Sequence, residues 1–129
     1  MFTIDQIKAA HSKVKSGADF PNYIQDLIKL GVEKYITYVS DGHTVYFWKD
    51  NYKAKSESRY ATKPIAAQSN AANFKAGLKE HQEGKTDYAA FCELCAETGV
   101  DNWTVDMSEM TCTYYDVAAN TLLVEKIPG

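Results

Sequence analysis

The chain has 129 residues, with 14 Lys and Arg against 17 Asp and Glu, and a net charge of −3 at neutral pH. Phosphate-backbone binding needs a clustered positive surface, and these basic residues are scattered among acids, so no nucleic-acid partner is expected. No run approaches the roughly 20 apolar residues of a membrane helix, so no membrane partner is expected either. A chain of this length is read as one domain, residues 1–129, burying roughly two-thirds of its unfolded surface. The start "MFTIDQIKAAHSKVKSG" has no continuous apolar stretch and no small-residue cleavage site, so it is not expected to act as a signal peptide. Three cysteines cannot all pair within one chain, which points to a reducing, cytoplasmic setting.

Taken in order, Ile4, Ile7, His11 and Val14 form a helical stripe, and Gly17 is placed to end that helix. Asp19 then stands at an N-cap position with Pro21 in the first turn, and Phe20, Tyr23, Ile24 and Leu27 form the buried stripe of a second helix closed by Gly31. "VSDGHTVYFW" follows, where Asp41-Gly42 suits a type I′ hairpin turn and His43 is expected to be solvated. "KDNYKAKSES" (49–58) is polar, either mobile or an edge strand. A second pair of helices comes next: Phe74, Leu78 and His81 up to Gly84, then Asp87 as cap before Tyr88, Phe91, Cys92 and Cys95, closed by Gly99. Trp103, Val105 and Met107 share one strand face while Thr104 and Asp106 share the other. "VDMSEMTCTYY" is a second hairpin with a less defined turn.

The order is thus written twice. "DFPNYIQDLIKLGVEKYITYV" (19–39) aligns without a gap on "DYAAFCELCAETGVDNWTVDM" (87–107) at an offset of 68, matching Tyr23 to Phe91, Gly31 to Gly99 and Tyr35 to Trp103. "TVYF" from Thr44 falls on "CTYY" from Cys112, and "IKAAHSKVKSG" (7–17) on "FKAGLKEHQEG" (74–84) at an offset of 67. A fainter match sets "YATKPI" against "LVEKIP", which ends at Pro128. The predicted fold is α+β: a two-layer domain from an internal duplication, with two repeats of about 1–65 and 66–129. Each repeat is helix-helix-strand-strand, with a third strand admitted, and the pooled strands make one antiparallel sheet with helices on a face.

The chemistry-bearing residues are weighed against that repeat. The C-x-x-C of "FCELCAETGV" puts Cys92 in the place of Ile24 and Cys95 in that of Leu27, inside an apolar stripe and more than a turn from the helix start. A redox thiol wants the positive helix end, and a zinc pair wants a turn. Both cysteines therefore read first as small buried hydrophobes. The outside alternative is a metal set of His81, Cys92, Cys95 and Cys112. His81 stands where Val14 stands, either bonding carbonyls at a helix end or acting as a base with Asp87 or Asp106. His11 reads as a satisfied, half-buried residue. Asp106 replaces Tyr38 and becomes a site candidate if that sheet face is covered. Cys112 and Tyr114 complete the catalytic candidates. No phosphate loop, dinucleotide fingerprint, nucleophile elbow or H-E-x-x-H is present, and no cofactor is expected.

The runs "GV-x-x-W-x-VD" (99–106), "TCTYYD" (111–116) and "EKIP" (125–128), with "LGVEKYITYVSDGHTVY" in the first half, resemble the YbcV/YdfO-like family of small bacterial and prophage-borne proteins, often labelled "phage envelope protein". The resemblance covers nearly the whole chain and implies a small α+β domain without an established activity or cofactor. The functional expectation is a cytosolic, non-enzymatic binding or regulatory module that self-associates or meets a protein partner. The rival is a small enzyme, or a thiol- or metal-dependent site, in the second repeat using Asp106, Cys112 and His81.

Overall fold

The computed structural model describes residues 3–13, 19–49 and 52–127. Val14, Gly17 and Pro128 lie outside the described residues. The elements run α1 (Ile4–His11), α2 (Phe20–Leu30), β1 (Lys34–Tyr38), β2 (Thr44–Trp48), β3 (Tyr52–Lys55), α3 (Ala71–Gln82), α4 (Tyr88–Glu97), β4 (Asn102–Asp106), β5 (Thr111–Tyr115) and β6 (Thr121–Lys126). The α+β prediction holds: helix, helix and three strands occur twice.

Local chemistry sets the helix ends. Thr3 and Gln6 form a reciprocal capping box at α1, Thr3 Oγ1 accepting from the Gln6 backbone N–H and Gln6 Oε1 from that of Thr3. Asn70 Oδ1 accepts from Asn73 N–H at α3, and Asp87 Oδ1 from Ala90 N–H at α4. Pro21 sits in the first turn of α2, where its missing N–H is no loss.

The strands form one antiparallel sheet in the order β3-β2-β1-β4-β5-β6. The two copies meet at β1 and β4. Tyr35 lies across from Val105, Thr37 across from Trp103, and Ile36 across from Thr104. At the offset of 68, Ile36 is the counterpart of Thr104 itself, so this pair marks a pseudo-two-fold centre. The flanking registers obey the same relation, with Tyr35 opposite Tyr46 in one half and Trp103 opposite Tyr114 in the other.

All four helices pack on one face of this sheet. Their buried residues, Ile7, Tyr23, Ile24, Leu27, Phe74, Leu78, Phe91 and Cys92, join Tyr35, Tyr46, Trp103 and Tyr114 in one hydrophobic cluster. Ring contacts tie the layers, among them Tyr23 to Tyr35 at 6.5 Å and Phe74 to Tyr114 at 4.8 Å between centroids. No described helix covers the opposite face. Lys34 and Lys53 there reach over the Phe47 ring, with Nζ 4.9 and 5.5 Å from its centroid.

Among the local expectations, one alternative is decided and two change. Residues 60–65 form no strand; Tyr52–Lys55, within the polar stretch, is the edge strand that answers β6. The first hairpin is not a two-residue type I′ turn. Only Gly42 (φ +75°) is left-handed there, and Gly42 N–H donates to Tyr38 O, closing a wider loop from 39 to 43. The loop widens because Val39 is fully buried and its N–H goes to Asp101 O, which continues the pairing with the second half. Finally, His43 is half-buried rather than solvated: its ring stacks on Tyr38 at 4.6 Å and its Nδ1 meets Asp41 Oδ1 at 2.5 Å.

Asp41 organises this loop. Burial pushes its carboxyl up, but hydrogen bonds from the His43 ring, the His43 backbone and the Ser58 hydroxyl outweigh that and bring it down to about 2. A carboxylate depressed on folding adds stability above its unfolded value of 3.8, and that stability is lost as pH falls toward about 2. The expected result is a melting-temperature gap between the wild type and Asp41→Asn that narrows steadily from about pH 5 to about pH 2. A gap that stayed constant over that range would show that ionisation of Asp41 contributes nothing.

Candidate functional site

The buried face of the central sheet carries two rows of side chains, read from strand pairing. One runs Thr44, Thr37, Trp103, Tyr114 and the other Tyr46, Tyr35, Val105, Cys112. Each row is half large aromatic and half small, and the pseudo-two-fold relation exchanges them. The small residues leave space that the helices above do not fill.

The result is a cavity of about 440 Å³ between the layers, within the range of small-molecule sites. Its floor includes Tyr35, Thr37, Thr44, Tyr46, Trp103, Cys112 and Tyr114; its roof and rim include His11, Tyr23, His81, Tyr88, Phe91, Arg59 and Glu125. The Thr37 and Thr44 hydroxyls bond each other at 2.9 Å on the floor. Among the described residues no buried side-chain polar atom lacks a hydrogen-bond partner.

Of the catalytic candidates, His81, Cys112 and Tyr114 come to this cavity and Asp106 does not. Asp106 lies on the opposite sheet face, across from Lys34, and its Oδ1 accepts the Ser108 and Glu109 backbone N–H groups at 2.9 and 3.0 Å. It shapes the turn between β4 and β5. His81 sits in the last turn of α3, its ring stacked on Phe91 at 4.5 Å and its Nδ1 3.1 Å from Thr86 O. A carbonyl can only accept, so Nδ1 carries the proton and Nε2 is the lone-pair nitrogen of the neutral ring. Burial lowers the His81 pKa, against smaller upward effects of that bond and of Asp87. Burial lowers His11 as well, helped by Arg59.

The thiols and phenols are held protonated. Burial pushes Cys112 up to about 12 against the opposing Tyr114 hydrogen bond, and raises Cys95 and Cys92 too. The Tyr60 and Tyr88 hydroxyls lie within hydrogen-bond reach of Cys92 and only partly offset its burial. Tyr23, Tyr35, Tyr88 and Tyr114 are all raised, first by burial. Neither Cys92 nor Cys95 lines the cavity; both are buried in the shared core, in the places the repeat assigns them. Among the described residues no three His, Cys, Asp or Glu side chains gather as a metal site, so His81, Cys92, Cys95 and Cys112 do not form one. An aromatic disulfide reagent should therefore modify the three cysteines slowly in the folded protein and rapidly in guanidinium, because only thiolate attacks. One fast-reacting thiol in the folded protein would contradict this burial.

Most wall residues escaped the sequence reading as site residues, among them Tyr35 and Tyr46, visible only as sheet aromatics, and Arg59, in coil between β3 and α3. The signal for Tyr35 and Tyr46 was the pairing of small with large positions across the repeat, which needs the β1–β4 register to be seen.

An α+β protein with a helix-covered sheet and an aromatic cavity at its pseudo-symmetry centre is thus defined. The chain matches, over residues 8–126, the profile of the family described as "Protein of unknown function (DUF1398)", and it belongs to that family. No curated protein matches it. No helix among the described residues is long and apolar enough to cross a membrane.

Proposed function

We propose that this protein is a cytosolic, non-enzymatic binding module whose ligand site is the cavity between helices and sheet. The observation that carries the reading is the aromatic cavity of about 440 Å³ with a few convergent polar groups. Its phenols and its thiol, Cys112, are protonated donors rather than nucleophiles, and its one carboxylate among the described residues, Glu125, accepts from Gln82 Nε2 at 2.9 Å. With Asp106 on the other face, the constellation of Asp106, Cys112 and His81 is split, which favours binding over chemistry. The finer kinship with YbcV/YdfO-like, prophage-borne proteins belongs to this proposal and rests on the motifs at 99–106, 111–116 and 125–128.

The test is uptake of the neutral fluorophore N-phenyl-1-naphthylamine. One molecule per chain is expected to bind, with blue-shifted emission, and Thr44→Phe, which fills the floor, should abolish uptake while the variant still melts cooperatively. Uptake unchanged in the folded variant would place the probe elsewhere and sink the reading.

Self-association is a separate part of the proposal. The open sheet face supports it, with Val124 54% exposed across from Thr113 and beside Tyr115. The edges do not, because Lys53, Lys55 and Lys126 are the kind of charged residues that block edge pairing. Sedimentation of the wild type and of Val124→Glu decides it; a strict monomer in both removes this part alone.

A further inference from the structure

We propose that the cavity takes a planar aromatic carboxylate, its ring between the tyrosine and tryptophan faces and its carboxylate on Arg59. This deepens, and rests on, the binding-module reading. Arg59 is held on both sides: its backbone N–H donates to Asp41 O at 2.8 Å, and its guanidinium carbon lies 5.4 Å from the Tyr88 ring centroid. A contact to one ring does not use up the five guanidinium N–H donors, which leaves an N–H edge for an in-plane, two-pronged acceptor.

No carboxylate among the described residues forms an ion pair with that edge. Glu125, the only carboxylate among the described residues of the cavity wall, is taken by Gln82. The nearby Asp41 carboxylate is taken by His43 and Ser58. The guanidinium also stands at an entrance: Arg59, His11 and Tyr46 line both the cavity and a second hollow between α1 and residues 56–59. Arg59 itself is exposed, so an anion reaches it without being stripped of all its water.

The rest of the ligand follows from the walls. Inside the entrance the surfaces are aromatic faces, which favour a flat, edge-positive ring over a branched aliphatic chain. Protonated phenols add donors and no negative charge of their own to the walls.

Calorimetric titration with 2-naphthoate and its uncharged isostere 2-naphthamide tests this on the whole chain. The wild type is expected to bind naphthoate on the order of tenfold more tightly than the amide, as one hydrogen-bonded charge implies. Arg59→Gln should erase that preference while still binding the amide, and its cooperative melting shows that the variant is folded. Arg59→Lys, keeping charge without the fork, should fall between. Equal wild-type affinity for the two probes overturns the carboxylate but leaves the cavity as a binding site. Binding of neither probe overturns both, and a preference that survives Arg59→Gln moves the anion to another residue.

Discussion

Phe74→Ala is expected to cost about 3–5 kcal/mol of folding stability, read as a lowered urea midpoint with unchanged slope. Phe74 is fully buried and is the largest such side chain in the core. It sits on α3, its ring 6.3 Å from Phe91 of α4 and 4.8 Å from Tyr114 of β5. Removing it deletes apolar burial and also leaves a hole at the junction of two helices and a strand, where no neighbour can collapse without dragging its own element. Ile28→Ala provides the contrast. Ile28 is 39% exposed on the outer side of α2, and its truncation should cost under about 1 kcal/mol. Similar losses for both would mean that the helices are not seated on the sheet as described.

The second large effect separates two glycines that look alike in the sequence. Gly84 and Gly99 both follow a helix, and both have left-handed backbones, at φ +80° and +85°. An alanine at either position pays about 1–2 kcal/mol for that conformation. At Gly84 a new Cβ meets nothing within 4 Å. At Gly99 it would lie 2.8 Å from Ser69 Cα and 3.0 Å from Gln68 O, both backbone. That segment cannot step aside, because Ala66 N–H donates to Ala96 O and Asn70 N–H to Thr98 O, tying it to the end of α4. Gly99→Ala should therefore lose about 1–3 kcal/mol more than Gly84→Ala, since overpacking against fixed atoms adds to the conformational cost. Equal losses would mean that the connection from β3 to α3 does not lie against α4.

Much of the framework was legible because helix stripes and strand alternation are local and occur twice. Cys92 and Cys95 were placed in the core by their correspondence with Ile24 and Leu27, without any structure. The cavity was not legible, because its floor depends on which residues of β1 and β4 lie side by side. These strands are 68 residues apart, and a slip of one would turn the aromatic rows to the other face. Arg59 stands in coil with no periodicity to mark its side. Asp106 was singled out for its place on a strand, yet it caps the following turn, a role that an Asp two and three residues before free backbone N–H groups often fills. The hairpin at Asp41-Gly42 misled for a similar reason: local turn chemistry favoured a tight turn, and the burial of Val39 against the second half widened it.

The central claim is that the space over the two aromatic rows is a ligand site, and it is tested most directly by locating a bound probe. With 2-naphthoate present, NMR cross-relaxation from its ring protons should reach the Thr37 and Thr44 methyl groups and those of Ile127, all on the cavity wall. Contacts confined to Ile36, Val45 and Val124, on the open face of the same strands, would contradict it.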